Sequence, residues 1–274
     1  MKYSVLIAGV YFGLPLTAFN VEAQIIPDAT LGAENSIVQM AVPGQIIING
    51  GAARVSTLFH SFHEFNIGEG QSAYFANPSG ITNILGRVTG TNPSEIFGTL
   101  GVLGNANLFL LNPNGIIFGP NSKLDLNGTF TASTAESFLL PGGQEFGAVN
   151  PGAAPLLTVD IPVTVGLRFG SEATGAIANA GQLNTPENLT LVGRSVVHTG
   201  ALTGINVELL AVPEAIAQVN IGLGGTLDSV VPSEISQPIA VTGLPDTLPE
   251  DIGAIATIAG TTVVSGTIEA NETV

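Results

Sequence analysis

Residues 108–130 read LFLLNPNGIIFGPNSKLDLNGTF. Apolar runs of a few residues alternate with NPNG, GPNS and LNG, so the chain stops repeatedly on Asn, Pro or Gly and then resumes. In NPNG, Pro113 pre-sets φ for the first central turn position, Asn112 can accept following backbone N–H groups, and Gly115 tolerates positive φ. ANPSG (residues 76–80) and TNPSE (91–95) repeat the Asn-Pro-polar device. These are corners.

Other apolar units are equally short: QIIING, SAYFAN, LTLVG, SVVH and NVELLAV, each bounded by Gly, Asn, Pro or Ser. No stretch keeps a helical period. The nearest is LFHSFHEFNI, where Phe59, Phe62 and Phe65 recur every three residues, but Asn66 follows at once and the flanks are Gly-rich. A bent strand is expected there. The 35 Gly would each weaken a helix interior by roughly 1 kcal/mol, which points to an all-β chain.

A sandwich or barrel would also supply many short strands. Two features favour a solenoid. The polar positions are Thr, Ser and Asn rather than Lys and Glu, and such residues can stack in ladders on successive coils without like-charge repulsion. LVGRSVVHTGALTG (191–204) also resembles IAGTTVVSGTIEA (258–270) once a one-residue gap is allowed, as two coils of one β-helix would. Between them, residues 230–253 hold four Pro and four acidic residues, expected to leave the coil stack.

Of 274 residues, 45% are hydrophobic and 10% charged, enough to bury a sizeable core. The net charge of −15 opposes binding to nucleic acid or an anionic membrane surface. At the N-terminus a single Lys2 precedes an apolar run from Val5 to Phe19, and VEA (21–23) offers small residues where a signal peptidase reads. Residues 1–23 are expected to be a secretory leader cleaved before Gln24. The alternative, a membrane anchor, suits a run this short and interrupted by Pro15 less well. No later segment is apolar enough to insert stably. The chain has no Cys, so its stability rests on its core, and no disulfide would trap a loop in a chain threading a pore.

The stretch NILGRVTGTNPSEIFGTLGVLGNANLFLLNPNGIIFGPNSKLDLNGTFTAST (83–134) closely resembles the secretion domain of filamentous-haemagglutinin-like exoproteins of two-partner secretion, in its cyanobacterial branch. IIPDATLG, GGAARVSTLFHSFHEFNIGEGQSAYFANPSGI and PLLTVDIPVTVGLRFG match as well, so the resemblance covers residues 24–170, with 171–274 continuing as further coils. It implies a right-handed parallel β-helix with N-terminal capping strands. It also implies a partner: the periplasmic domains of a dedicated outer-membrane β-barrel transporter, which recognise the extended chain before it crosses the pore and folds outside, in the medium or on the cell surface. Asn112, Pro113, Asn114, Gly115 and Ile116 correspond to the motif such a domain needs for folding and secretion. Where many members carry Asn-Pro-Asn-Leu, this chain has NPSG, so Asn77 and Pro78 are expected to matter less than Asn112 and Pro113.

Several β-helix families are polysaccharide lyases or hydrolases, and these need opposed carboxylates, or a base with cations beside it. Beyond residue 23 the basic residues are Arg54, Arg87, Lys123, Arg168 and Arg194, expected to be scattered and paired with no carboxylate cluster. No catalytic residues are expected, and no cofactor. His60, His63 and Glu64 suggest a metal site, but residues three apart on a strand face opposite sides and no third ligand is near. KLDLNG is no calcium loop, and GLGG (222–225) lacks the helix and Lys of a phosphate loop. A third expectation is adhesion to a surface glycan or cell receptor, by this chain or a longer relative. The last coil, ending NETV without an amphipathic cap, is expected to fray or to mark descent from a longer exoprotein.

Overall fold

A computed structural model describes residues 24–155, 164–214, 216–232 and 261–270. The expected leader, residues 1–23, lies outside the described residues. Of the stretch expected to leave the stack at 230–253, residues 230–232 close a strand and the remainder lies outside the described residues.

The chain opens with β1 (Ile25–Pro27), β2 (Ser36–Val42), β3 (Gln45–Gly50) and β4 (Ala52–Arg54). Coil one is β5 (Thr57–Phe65) and β6 (Ser72–Ala76). Coil two is β7 (Asn83–Val88), β8 (Ser94–Ile96) and β9 (Thr99–Leu103). Coil three is β10 (Asn107–Leu111), β11 (Ile116–Phe118) and β12 (Lys123–Asp125). Coil four begins with β13 (Phe130–Ser133), leaves through β14 (Ser137–Leu140), β15 (Gln144–Gly147) and β16 (Thr164–Arg168), and returns in β17 (Ala176–Asn179) and β18 (Gln182–Asn184). Coil five is β19 (Leu189–Gly193), β20 (Ser195–His198) and β21 (Ala201–Gly204). Coil six begins with β22 (Val207–Ala211), leaves through β23 (Ile216–Gly222) and β24 (Leu227–Pro232), and returns in β25 (Thr261–Val264) and β26 (Thr267–Ala270).

Like positions of successive coils pair in parallel, making three sheets: β5-β7-β10-β13-β19-β22, β8-β11-β17-β20-β25 and β3-β6-β9-β12-β18-β21-β26. Together they close a right-handed parallel β-helix, the hand that strand–crossover–strand connections adopt. Strands β1, β2 and β4 pair antiparallel against its N-terminal end and form the expected cap. On the first sheet one inward column runs Leu58, Ile84, Leu108, Phe130, Leu189 and Val207. The first five are buried and Val207 packs against them, all in one core inside the helix. Steps along this column are 26 residues (58 to 84), 24 (84 to 108), 22 (108 to 130), then 59 (130 to 189) and 18 (189 to 207). The 59-residue step is the first excursion.

Both excursions leave at the same corner, after a first-sheet strand, and they meet. β16 pairs antiparallel with β23, giving a fourth sheet in the order β15-β14-β16-β23-β24. Its apolar face, with Phe138, Phe146, Val165, Leu167, Val219 and Ile221, packs in one cluster with Phe59, Leu85, Phe109, Leu111 and Val192 of the first sheet. The first sheet is therefore buried on both faces, which is why NLFLL and LTLVG are apolar without alternation.

The Phe59, Phe62, Phe65 spacing is resolved by a bulge. Ile25, Ile26 and Pro27 pair with Phe65, Glu64 and Phe62, skipping His63. An extra residue on one strand lets Phe62 and Phe65 enter the same core although three apart. Of the 191–204 and 258–270 segments, the described residues 195–204 and 261–270 do stack, but without the one-residue gap. Ser195 pairs with Thr261 and Ala201 with Thr267, a constant offset of 66 residues, so Val263 lies beside Val197 rather than Val196. Strand pairing follows the turn at Gly200 and Gly266, not the Val-Val identity.

Candidate functional site: the stacked asparagine corners

The NPNG turn forms the corner between β10 and β11, and its residues bond to the coils on both sides. Within the turn, the Asn114 N–H donates to Asn112 Oδ1 at 3.0 Å and the Gly115 N–H to the Asn112 carbonyl at 3.1 Å. Gly115 has φ 123°, the region glycine is needed for. Toward coil two, Asn112 Nδ2 donates to the Asn92 carbonyl at 3.1 Å and to Ser94 Oγ at 3.0 Å, while Asn114 Nδ2 reaches the Gly90 carbonyl at 2.8 Å. Toward coil four, the Asn112 N–H donates to Ser133 and the Gly175 N–H to the Pro113 carbonyl at 2.8 Å. Ile116 continues into the interior, in register between Ser94 and Ile177, and is fully buried.

Asn112 itself has 0% exposure. Its amide uses both ends, and nothing could replace those bonds with water without opening the stack. The Asn92-Pro93 corner lies directly beneath, and Asn92 Nδ2 donates in turn to Glu64 Oε1 at 2.8 Å. One coil earlier, Asn66 Oδ1 accepts the Glu95 N–H at 2.8 Å. The corners form a column, with Asn66 and Asn112 satisfying main chain of the next or preceding coil and Asn92 a side chain of the preceding one.

Asn77 stands at a different corner, between the third sheet and the first. Its Oδ1 accepts the N–H groups of Asn105 and Ala106 at 3.0 and 3.1 Å, and its Nδ2 donates to the Ile81 carbonyl at 2.9 Å. It therefore also ties two coils together, despite the NPSG sequence. Pro78 is exposed, and the Asn77 bonds are partly open to water. Asparagine ladders recur elsewhere: Asn83 with Asn107 at 3.0 Å, and Asn188 with Asn206 at 2.9 Å. The stacking of uncharged polar residues is real.

His60 and His63 separate as strand geometry requires, His60 buried and His63 exposed. His60 Nδ1 lies 3.0 Å from Ser36 Oγ, which also accepts the Ser61 N–H at 3.2 Å. Burial holds the His60 pKa down at about 3. Among the described residues no three His, Cys, Asp or Glu side chains gather as metal ligands would.

The arginines depart from expectation. Arg168 reaches two carboxylates, Glu145 at 2.5 Å and Glu136 at 3.9 Å, and Arg54 pairs with Glu34 at 2.7 Å. Arg87 and Arg194 are buried. Arg87 donates to Ser61 Oγ, Thr30 Oγ1 and the carbonyls of Gly147 and Gly152, and lies 4.0 Å over the Phe146 ring. Burial lowers its pKa to about 10 even with Asp28 nearby. Arg194 donates to the carbonyls of Phe169, Gly170 and Ala173 from one excursion and of Val212 and Pro213 from the next. Each fixes an excursion to the stack. Single basic residues in apolar surroundings, GRV within β7 and VGRS between β19 and β20, were the available signal.

A family model described as TPS secretion domain matches residues 23–236. The chain belongs to the TPS secretion domain family, a family of secretion domains in two-partner secretion and not of enzymes. Over 72 residues it is 33% identical to the heme/hemopexin-binding protein of Haemophilus influenzae, covering 26% of this chain and 8% of that protein. The HMW1 secretion domain from Haemophilus influenzae superposes with a TM-score of 0.51 at 19% identity, covering 78% of this chain and 48% of that one. The filamentous hemagglutinin secretion domain gives 0.56 at 15% identity, covering 89% and 75%. The two structural likenesses show the fold. The chain spans less than half the length of the first two relatives.

Proposed function

We propose that this coil stack is the export unit of a two-partner secretion exoprotein. A leader ending before Gln24 takes the chain to the periplasm, where the periplasmic domains of a cognate outer-membrane β-barrel transporter recognise it extended. It crosses the pore and coils outside, with residues 24–170 as the recognised unit and the later coils following. Released or held at the surface, it presents or serves as an adhesin for a glycan or cell receptor. Asn112 to Ile116 are the folding and secretion motif, and Asn77 and Pro78 a secondary turn.

The observation that carries the reading is the fully buried Asn112 amide, bonded to coil two on one side of a corner whose other bonds reach coil four. A corner that bends locally but completes its buried bonds only against its neighbours favours coil-by-coil folding as the chain emerges. Each coil added outside then opposes backsliding without ATP, and the Cys-free chain has nothing to cross-link on the way. Coexpression in a Gram-negative host tests this. With the cognate transporter the chain is expected in the medium or on the cell surface, and without it in the periplasm. Equal export in both cases would defeat the proposal.

A further inference from the structure

Besides β4, a three-residue strand ending on Arg54 that branches onto β5, the main paths of the four sheets have eight terminal strands, and they are not equally protected. β1 is three residues long and ends on Pro27, while β8 is three residues long, carries Glu95 and is bridged at Ile96 by Ile67. β15 carries Glu145, β22 Glu208, β26 Glu269, and β24 both Asp228 and Pro232. β25 has no charge but only four residues. Short length, charge and proline are the usual means of blocking edge-to-edge pairing. β2 lacks all three. At seven residues, SIVQMAV, it is the longest of the eight, and it pairs only with β3 among the described residues.

Its free edge can be located. The Gly51 N–H donates to the Asn35 carbonyl at 3.1 Å, which assigns residues 35, 37 and 39 to bonding with β3. Alternation then turns the N–H and C=O groups of Val38 and Met40 away from β3. The irregularity between Met40 and Val42 lies at the hairpin end and leaves residues 36–40 regular. Around this edge Ile37, Met40 and Val42 are 50%, 70% and 55% exposed.

We propose that the β2 edge is a self-association surface, occupied by β2 of a second copy in an antiparallel pair about a twofold axis. Charge selects this occupant. The chain carries −15 overall, which repels a second copy from most approaches. Yet no charged residue lies between Glu34 and Arg54, and those two neutralise each other through bonds of 2.8 and 2.7 Å. The β2–β3 hairpin is therefore an uncharged stretch in an acidic molecule, and its own residues offer a basic partner nothing to pair with. On a second copy the longest strand free of the usual blocks is again β2, and a twofold pairing lets one patch serve both sides.

The test uses the full chain, whose lack of Cys makes single cysteines clean probes. Cysteines placed one at a time at residues 37–42 are expected to cross-link best at one self-opposed position and less on either side, with Leu103→Cys, on an exposed site elsewhere, giving little. Sedimentation should show a reversible dimer, and Met40→Lys, which brings like charges together across the pair, should weaken it about tenfold or more. Leu103→Lys should leave it intact. A monomer at every concentration would overturn the proposal, as would equal cross-linking at all positions, or a Met40→Lys dimer as tight as wild type.

Discussion

Arg87 Nη1 donates to the Gly147 carbonyl at 2.8 Å across 60 positions of sequence, joining coil two to the first excursion. The same guanidinium holds Gly152 at 2.5 Å and Thr30 at 2.7 Å, so cap, coil and excursion share one side chain. Arg87→Met would leave the buried Gly147 carbonyl and Ser61 Oγ without this donor, each costing about 1–3 kcal/mol, whereas water can reach the exposed Gly152. A loss of about 3 kcal/mol is expected in urea unfolding. Arg87→Lys should recover little, because an ammonium cannot reproduce the planar fork. A wild-type midpoint for Arg87→Met would show that water replaces these bonds.

The coil stack was legible because turn chemistry is local: Asn-Pro-Asn-Gly bends the chain whatever surrounds it. The excursions were not. Phe138, Leu167 and Val219 sit in strands of the same length and apolar texture as those of the coils, so nothing local marks them as leaving. The double-sided burial of Phe109 and Leu110, one toward each core, was present in the unbroken run LFLL, but reading it required knowing that a fourth sheet existed. At the corners, Asn112 could be assigned its bonds within the turn from spacing. Its bonds to Asn92 and Ser94 depend on the stacking register, which the misaligned Val-Val pair shows spacing alone does not determine.

Asn112→Ala removes an amide bonded at both ends in a fully buried setting. Loss of comparable side-chain caps costs ~0.5–2 kcal/mol, and burial favours the upper end. A lower unfolding midpoint is expected together with reduced export. Asn77→Ala should cost less even though Asn77 also bridges coils, because its bonds are partly open and water can take the freed groups. Measuring both variants in one secretion assay checks the order. If Asn77→Ala proved the more damaging, burial would not be what ranks the corners.

His60 makes the cap sensitive to acid. Its folded pKa of about 3 lies far below the ordinary 6.5, so between those values the unfolded chain binds more protons than the folded one. Stability is therefore full above pH 6.5 and falls as the pH drops toward 3. At pH 5 this group alone should remove about 2 kcal/mol. Asp28 acts in the same direction lower on the scale: burial pushes its carboxyl up, but hydrogen bonds from Ser61, Thr30 and Thr89 outweigh that and hold it below normal. His60→Phe should flatten the pH 5 to 6.5 limb of the denaturation midpoint curve. An unchanged limb would place the acid sensitivity elsewhere.

Gly175 tests the corner from the opposite side. It lies in the return from the first excursion, directly on the NPNG turn, and donates its N–H to the Pro113 carbonyl. A Cβ there would stand 2.3 Å from the Gly115 nitrogen, 2.4 Å from the Asn114 carbonyl carbon and 2.6 Å from the Pro113 oxygen. All three are backbone atoms and none can swing aside. The glycine is required by close approach, and Gly175→Ala must push coil four off the corner. Overpacking of this kind costs about 1–3 kcal/mol. Gly152→Ala is the matched control, since its Cβ would meet nothing within 4 Å. That change should be neutral or stabilise slightly by restricting the unfolded chain. Thermal unfolding of the two variants separates the effects, and hydrogen exchange should show faster exchange at Gly115 and Ile116 in Gly175→Ala alone. Were the two alanine variants equally stable, the excursion's return would not be pressing on the NPNG turn, and the corner would close without it.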